Sequence, residues 1–287
     1  MAGRADPYTR AVRCLYCKES SESSRSVEHV VPESLGNATM ILPRGAVCDG
    51  CNNYFSRKVE APFLTSPLIQ ALRHDQGLLT KKGRRPGLRM LAGTGGWVTM
   101  FGPDGNKPGR LEFDSDEAAH RWAEQGRLGG TMVTHHAAIP PSQLATSRFF
   151  AKVALGCLAV RFIEVDGGLE SLVDEPELDP IRDHARRGTD PAWPVSRRRI
   201  YPADALWNEG GQADQKVWEH DLFEDDGFLF SVFILFGLEY VINVGGPDLA
   251  GYERWLTANR GASPLYTGRY ASELSTLVDP GPTTPPS

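Results

Sequence analysis

The sequence predicts an α+β chain in which a small cysteine-stapled unit precedes a larger mixed α+β domain. Three observations point there. Four of the five cysteines form two CxxC pairs, Cys14/Cys17 and Cys48/Cys51. The segment around them has few apolar residues, so a folded unit there needs a staple. Beyond residue 90, strand-like and helix-like runs follow one another in mixed order with no internal repeat.

The chain has 287 residues, room for one large domain or two modest ones, and 40% hydrophobic against 23% charged residues suits a soluble protein with a core. No run approaches the about 18 consecutive apolar residues of a membrane span. Met1–Arg13 is polar and lacks the apolar stretch of a signal peptide. Together these predict a cytoplasmic protein with no membrane partner. The net charge of −5 disfavours nucleic acid if read globally, but the distribution is uneven. Residues 1–90 carry 14 Lys and Arg against 8 Asp and Glu, whereas residues 91–287 carry 17 against 28. Nucleic-acid affinity follows local positive patches, so the N-terminal third is where such a partner would bind.

Taken in order, residues 1–13 read as a flexible lead-in and 14–65 as the compact unit. Within it, β-branched residues make Val27–Val31 a short strand. Pro32 and Gly36 end that strand in a loop, and a second short strand falls at Gly45–Val47. A helix begins just after Cys51, with Tyr54/Phe55 and Val59 on one face, and stops before Pro62. Residues 66–90 read as a basic linker containing Lys81, Lys82, Arg84 and Arg85, a solvated charge run or a phosphate-contacting arm. The second domain spans 91–277, its first strand, Leu88–Leu91, starting in the linker. Trp97–Phe101 pairs with it around a Gly-rich turn. A helix opens at Asp114–Glu117, with Asp114 and Glu117 at capping-box spacing. Thr131–Ala138 is strand-like. Leu144–Phe162 is a long buried helix on which Cys157 is a small hydrophobe. Residues 164–215 read as irregular structure with short helices, including the Arg197–Arg199 run, a nucleic-acid contact or an exposed patch. Phe228–Phe236 and Leu238–Val244 are core strands meeting near Gly237. Residues 278–287 form a disordered tail.

Each CxxC pair can offer two thiolates from a tight knuckle, and four thiolates at tetrahedral corners suit Zn²⁺. Zinc would then supply folding free energy to a segment poor in core. Two pairs with no adjoining βαβ pattern disfavour a redox role.

Between the knuckles stands Glu28-His29-Val30-Val31-Pro32-Glu33-Ser34-Leu35-Gly36, and the second knuckle continues as Cys51-Asn52-Asn53. The order C-x-x-C, E-H-x-x-P-E-S-L-G, C-x-x-C-N-N resembles the zinc-stapled branch of the HNH endonuclease family over residues 14–65. The resemblance implies a ββα-metal nuclease fold and a phosphodiesterase acting on DNA, with RNA as the other nucleic-acid substrate. It implies that His29 is the general base, since a neutral imidazole can take a proton from water near pH 7. Glu28 and Asn52 would hold one Mg²⁺ or Mn²⁺ through oxygen ligands. Alternatively, Glu28 orients His29, and Asn52 is a helix N-cap with Asn53 as the ligand. Arg57 and Lys58 on the helix would contact flanking phosphates. The family's middle asparagine has Asn37 as its candidate here. The resemblance also suggests bacterial defence against foreign DNA, with self-association or a protein activator as partners. Two rival readings remain: a zinc-stapled nucleic-acid-binding module without catalysis, and a nuclease effector fused to a partner-sensing domain.

Overall fold

The computed structural model describes residues 13–80, 83–103, 108–127, 134–135, 139–163, 165, 167–209 and 212–266. The expected lead-in up to residue 12, Lys81, Lys82 and the tail at 278–287 lie outside them.

The chain is mixed α+β, with the cysteine-bearing segment first and helices and antiparallel sheets after it. β1 (Glu28–His29) pairs antiparallel with β2 (Ile41–Leu42), Glu28 opposite Leu42 and His29 opposite Ile41. The second strand therefore precedes the expected Gly45–Val47. Gly45 sits at φ 91° and Ala46 N–H closes a turn onto Pro43 O at 3.0 Å, a conformation no strand continues through. α1 (Asp49–Phe55) begins earlier than expected because Cys48 is its N-cap, its sulfur accepting from Cys51 N–H at 3.3 Å. The helix also passes Pro62 instead of stopping before it. One wide π turn, Ser56–Glu60, intervenes, Ala61 N–H reaching back to Ser56 O, and α2 (Ala61–Leu64) follows with Pro62 in its first turn. Pro62 has no N–H to donate, and the wide turn just before it is the kind of irregularity by which a helix passes such a residue.

Where a basic linker was expected, α3 (Pro67–Asp75) comes first, burying Ile69, Ala71, Arg73 and His74. β3 (Leu88–Ala92), β4 (Trp97–Phe101) and β5 (Arg110–Phe113) follow, then α4 (Asp116–Arg127). Ser115 Oγ, not Asp114, caps α4, accepting from Ala118 N–H at 3.2 Å, while Asp114 pairs with Arg89 at 2.6 Å. β6 (Thr134–His135) is the described part of the strand-like run and completes an antiparallel sheet of order β5-β4-β3-β6.

The long helix α5 (Gln143–Phe162) is capped by Ser142 and buried nearly all round between Phe149 and Ala159. Such a helix belongs in the middle of a core. α6 (Gly168–Asp174) and α7 (Asp179–Arg187) pack beside it. The region expected to be irregular also contributes β7 (Ser196–Arg199) and the small hairpin β8 (Trp207–Glu209) and β9 (Gln212–Asp214). β10 (Trp218–Asp225), β11 (Phe228–Leu235) and β12 (Leu238–Asn243) join β7 in the sheet β10-β11-β12-β7. α8 (Ala250–Ala258) follows, with Tyr252 packed among Phe230, Val232 and Val241 on one sheet face. The other face turns Phe233, Leu235, Tyr240 and Ile242 into the core around α5. Burial on both faces explains why β11 reads as a continuous apolar run. Phe236 (φ 50°) and Gly237 (φ 72°) form the tight turn between β11 and β12. A Cβ on Gly237 would sit 2.1 Å from Tyr201 O, so only glycine fits. The Arg197–Arg199 run is part of this scaffold: Arg198 bonds the buried Glu239 at 2.5 Å, and Arg199 bonds Phe236 O at 2.8 Å.

One core cluster runs from Cys14, Leu15 and Tyr16 through Phe55 and Phe63 to α5 and the β12 face. Phe63 stacks on Phe149 at 4.0 Å, and Phe150 on Tyr240 at 4.2 Å. No helix among the described residues is long and apolar enough to cross a membrane.

Candidate active site and cysteine cluster

The first knuckle is a reversal in which Lys18 N–H bonds Cys14 O and Cys14 N–H bonds Glu19 O, both at 2.9 Å. The second is the start of α1. Leu15 N–H ties them by bonding Ala46 O at 2.8 Å. The four cysteine sulfurs all lie within 4.8 Å of one another, and Cys17 Sγ is 3.7 Å from Cys48 Sγ. A tetrahedral Zn–S distance of about 2.3 Å requires an S–S edge of about 3.8 Å. Donor type, number and spacing thus fit one zinc ion, and the cluster can hold it. The Cys14 thiol is pulled down to about 5, first by the hydrogen bond from Cys51 and against its own burial. Cys51, the donor in that pair, is pushed up. Such a shared proton is what a metal would displace. A surface cavity of about 460 Å³ lies beside the cluster, walled by Tyr54 and Arg186–Arg187.

Two side chains of the first helical turn position the strand that carries Glu28 and His29. Asp49 accepts from Arg25 N–H at 3.1 Å and from Ser26 N–H at 2.9 Å, and also from the Ser26 hydroxyl. The Ser26 hydroxyl bond, followed by the Ser26 N–H bond, holds the Asp49 carboxyl below its usual range. Asn52 Nδ2 donates to Val27 O at 2.8 Å, one residue before Glu28. The helix amide turned to the strand is therefore Asn52. Asn53, about 100° further round the helix, is exposed.

The loop from β1 to β2 is braced by Asn37, a buried side chain. Its Nδ2 donates to Val31 O at 2.7 Å and Met40 O at 2.9 Å, and its Oδ1 accepts from Thr39 N–H at 3.1 Å and Met40 N–H at 2.9 Å. Both hydrogens and both lone-pair directions are thus used. Asn37→Ala leaves these backbone groups without their partner and is expected to lower stability by about 3 kcal/mol. Asn37→Asp, which cannot donate, should rescue little. Urea unfolding followed by tryptophan fluorescence checks both, and a midpoint unchanged in Asn37→Ala would refute the brace.

His29 is half-buried, with Nδ1 buried and without a hydrogen-bond partner among the described residues. Glu28 is only 4% exposed and forms an ion pair with Lys152, which is fully buried on α5. Burial pushes the Glu28 carboxyl up, and Lys152 opposes that. Burial alone would discharge Lys152, but Glu28 and Glu60 together outweigh it and raise its pKa. Sequence reasoning passed over this lysine. Its signal was a single cation inside the apolar run Phe149-Phe150-Ala151-Lys152-Val153, since a fully buried lysine needs a partner.

Of the basic residues, Arg57 and Lys58 are exposed on the helix and make no ion pair among the described residues. Arg84 closes a turn with Thr80, and Arg85 lies against Gly77 and Gly102. Arg84 and Arg85 lie in the connection between α3 and β3.

Residues 14–68, which hold the four cysteines, Glu28, His29, Asn37, Asn52, Arg57 and Lys58, match the HNH endonuclease family. They form an HNH endonuclease domain with a four-cysteine CxxC…CxxC cluster. No curated protein and no solved structure shows significant similarity to the chain.

Proposed function

We propose, from the HNH endonuclease domain at residues 14–68, that the protein is a metal-dependent endonuclease that hydrolyses DNA phosphodiester bonds. The observation that carries this reading is the bond from Asn52 to Val27 O, which holds the helix amide beside the strand bearing Glu28 and His29. In this reading His29 is the general base. The His29 ring is only half-buried, and a neutral imidazole can take a proton from the water that attacks the phosphorus.

Two metals of different character fit two donor sets. The four thiolates suit structural Zn²⁺. The Glu28 carboxylate and the Asn52 Oδ1 are hard oxygen donors, few in number, of the kind that Mg²⁺ or Mn²⁺ takes while keeping waters. Among the described residues the Asn52 side chain has only its Nδ2 committed, to Val27 O. When bound, such an ion would stabilise charge on the phosphorane and on the departing 3′-oxygen. Arg57 and Lys58 would meet phosphates flanking the scissile one, and the turn at Arg84 and Arg85 would offer a second contact.

The test is cleavage of labelled duplex DNA, single-stranded DNA and RNA by the full zinc-loaded chain with Mg²⁺, with Mn²⁺ or with neither. The expected result is cutting of duplex DNA that requires either ion and leaves 3′-hydroxyl ends. Binding to the duplex without cleavage under every condition would instead identify a zinc-stapled binding module.

A further inference from the structure

We infer that Lys152, on α5 and outside the HNH segment, is the positioning residue that sets where His29 and Glu28 stand. The inference rests on the nuclease role proposed for His29. Lys152 Nζ donates to His29 O at 2.8 Å, to Val30 O at 3.0 Å and to Glu60 Oε1 at 2.9 Å, and it forms an ion pair with Glu28. In a strand, successive carbonyls point to opposite sides. Here the carbonyls of His29 and Val30 converge on one ammonium, so the chain leaves strand geometry at His29. The lysine thereby fixes the backbone from which the His29 ring projects, and it fixes the Glu28 carboxylate next to it.

The rest of α5 supports the same task. Gly156, one turn beyond Lys152, is where Val30 lies so close that a Cβ would meet its Cγ1 at 2.8 Å. Lys152 and Gly156 thus present one helix face to His29–Val30, one residue by hydrogen bonds and the other by the absence of a side chain. Tyr16, next to the first knuckle, donates its hydroxyl to Lys152 O at 3.0 Å and connects the cysteine cluster to the same turn of α5. Glu60 reaches the ammonium from the π turn, so the end of β1 and the π turn are both tied to α5 through it. A buried ion cluster gives little stability over an apolar replacement of similar volume. Its position at the base of the active site gives it a use that packing alone would not.

Any divalent ion taken by Glu28 shares that carboxylate with Lys152. The lysine therefore governs both the base and the metal ligand, as groups supporting an active site do.

The test uses Lys152→Met in the full chain. Because this leaves two buried carboxylates, the charge-matched variant Lys152→Met/Glu60→Leu is measured beside it. Three quantities are read: kcat and KM on duplex DNA, zinc content with the thermal transition, and the ¹⁵N shifts of the His29 ring. His120, in α4, is the internal control. We expect retained zinc, a cooperative transition, kcat lower by roughly 10–100-fold with KM unchanged, and displaced His29 signals with His120 unmoved. Folded variants with wild-type kcat and wild-type His29 signals would overturn the assignment. Failure of both variants to fold would make Lys152 a core group only, and would overturn it too. If the wild type cuts no nucleic acid, the nuclease reading fails, while the His29 signals still decide whether Lys152 positions the ring.

Discussion

Cys51→Ser is expected to abolish zinc binding and to unfold the protein in the temperature range where the wild type is intact. Cys51 is buried, and its sulfur belongs to the four that lie within 4.8 Å of one another. A structural zinc in such a set contributes on the order of 10–16 kcal/mol to folding, while a whole domain is stable by about 5–15 kcal/mol. Loss of one ligand therefore removes a term as large as the total. The effect should also spread. Cys14, Leu15, Tyr16 and Cys51 share one buried cluster with α5 and the inner face of the β10–β12 sheet. Tyr16 also packs on Phe55, their rings 4.4 Å apart. Calorimetry should show a single transition lost or shifted downward as a unit, with metal analysis reporting one zinc in the wild type and none in the variant. A zinc-free Cys51→Ser protein that melts with the wild type would show that the cluster has no structural role.

His29→Ala should lower the single-turnover cleavage rate by about 10²–10⁴-fold, the usual contribution of a general base. The fold and the zinc should survive this change. Lys152 bonds the His29 carbonyl and not its ring, and alanine keeps that carbonyl. DNA affinity should change little, because Arg57 and Lys58 are untouched. Gel-shift titration and the thermal transition check those two points beside the rate. A variant that cuts at the wild-type rate would remove His29 from the mechanism. One that loses zinc or fails to fold would make the histidine a structural residue.

The candidate site was legible as a local arrangement where spacing along the chain fixes geometry. Two CxxC knuckles and an E-H strand place Cys14, Cys17, Cys48, Cys51, Glu28 and His29 by local sequence, and Asn52 follows because it lies in the first turn after the second knuckle. The long helix and the hairpin at Gly237 were legible from apolar patterning for the same reason. Legibility failed where a local conformation overrode pattern. Gly45 at positive φ turned an expected strand into a turn, and a π turn let the helix pass Pro62. It failed again where a tertiary contact joins distant segments. Lys152 is 123 residues from His29, and nothing in the spacing of either segment announces that they meet. Asn37 was visible only as a weak counterpart of the family's middle asparagine. Its role became clear with its four backbone bonds.

The most direct measurement is the fate of supercoiled plasmid incubated with zinc-loaded full-length protein, with and without Mg²⁺, beside zinc-loaded His29→Ala. One active site cuts one strand, so the predicted result is nicked circles that form only with Mg²⁺ and only in the wild type. Plasmid that stays supercoiled with the zinc-loaded wild type and Mg²⁺, or that is nicked equally by His29→Ala, would contradict the account.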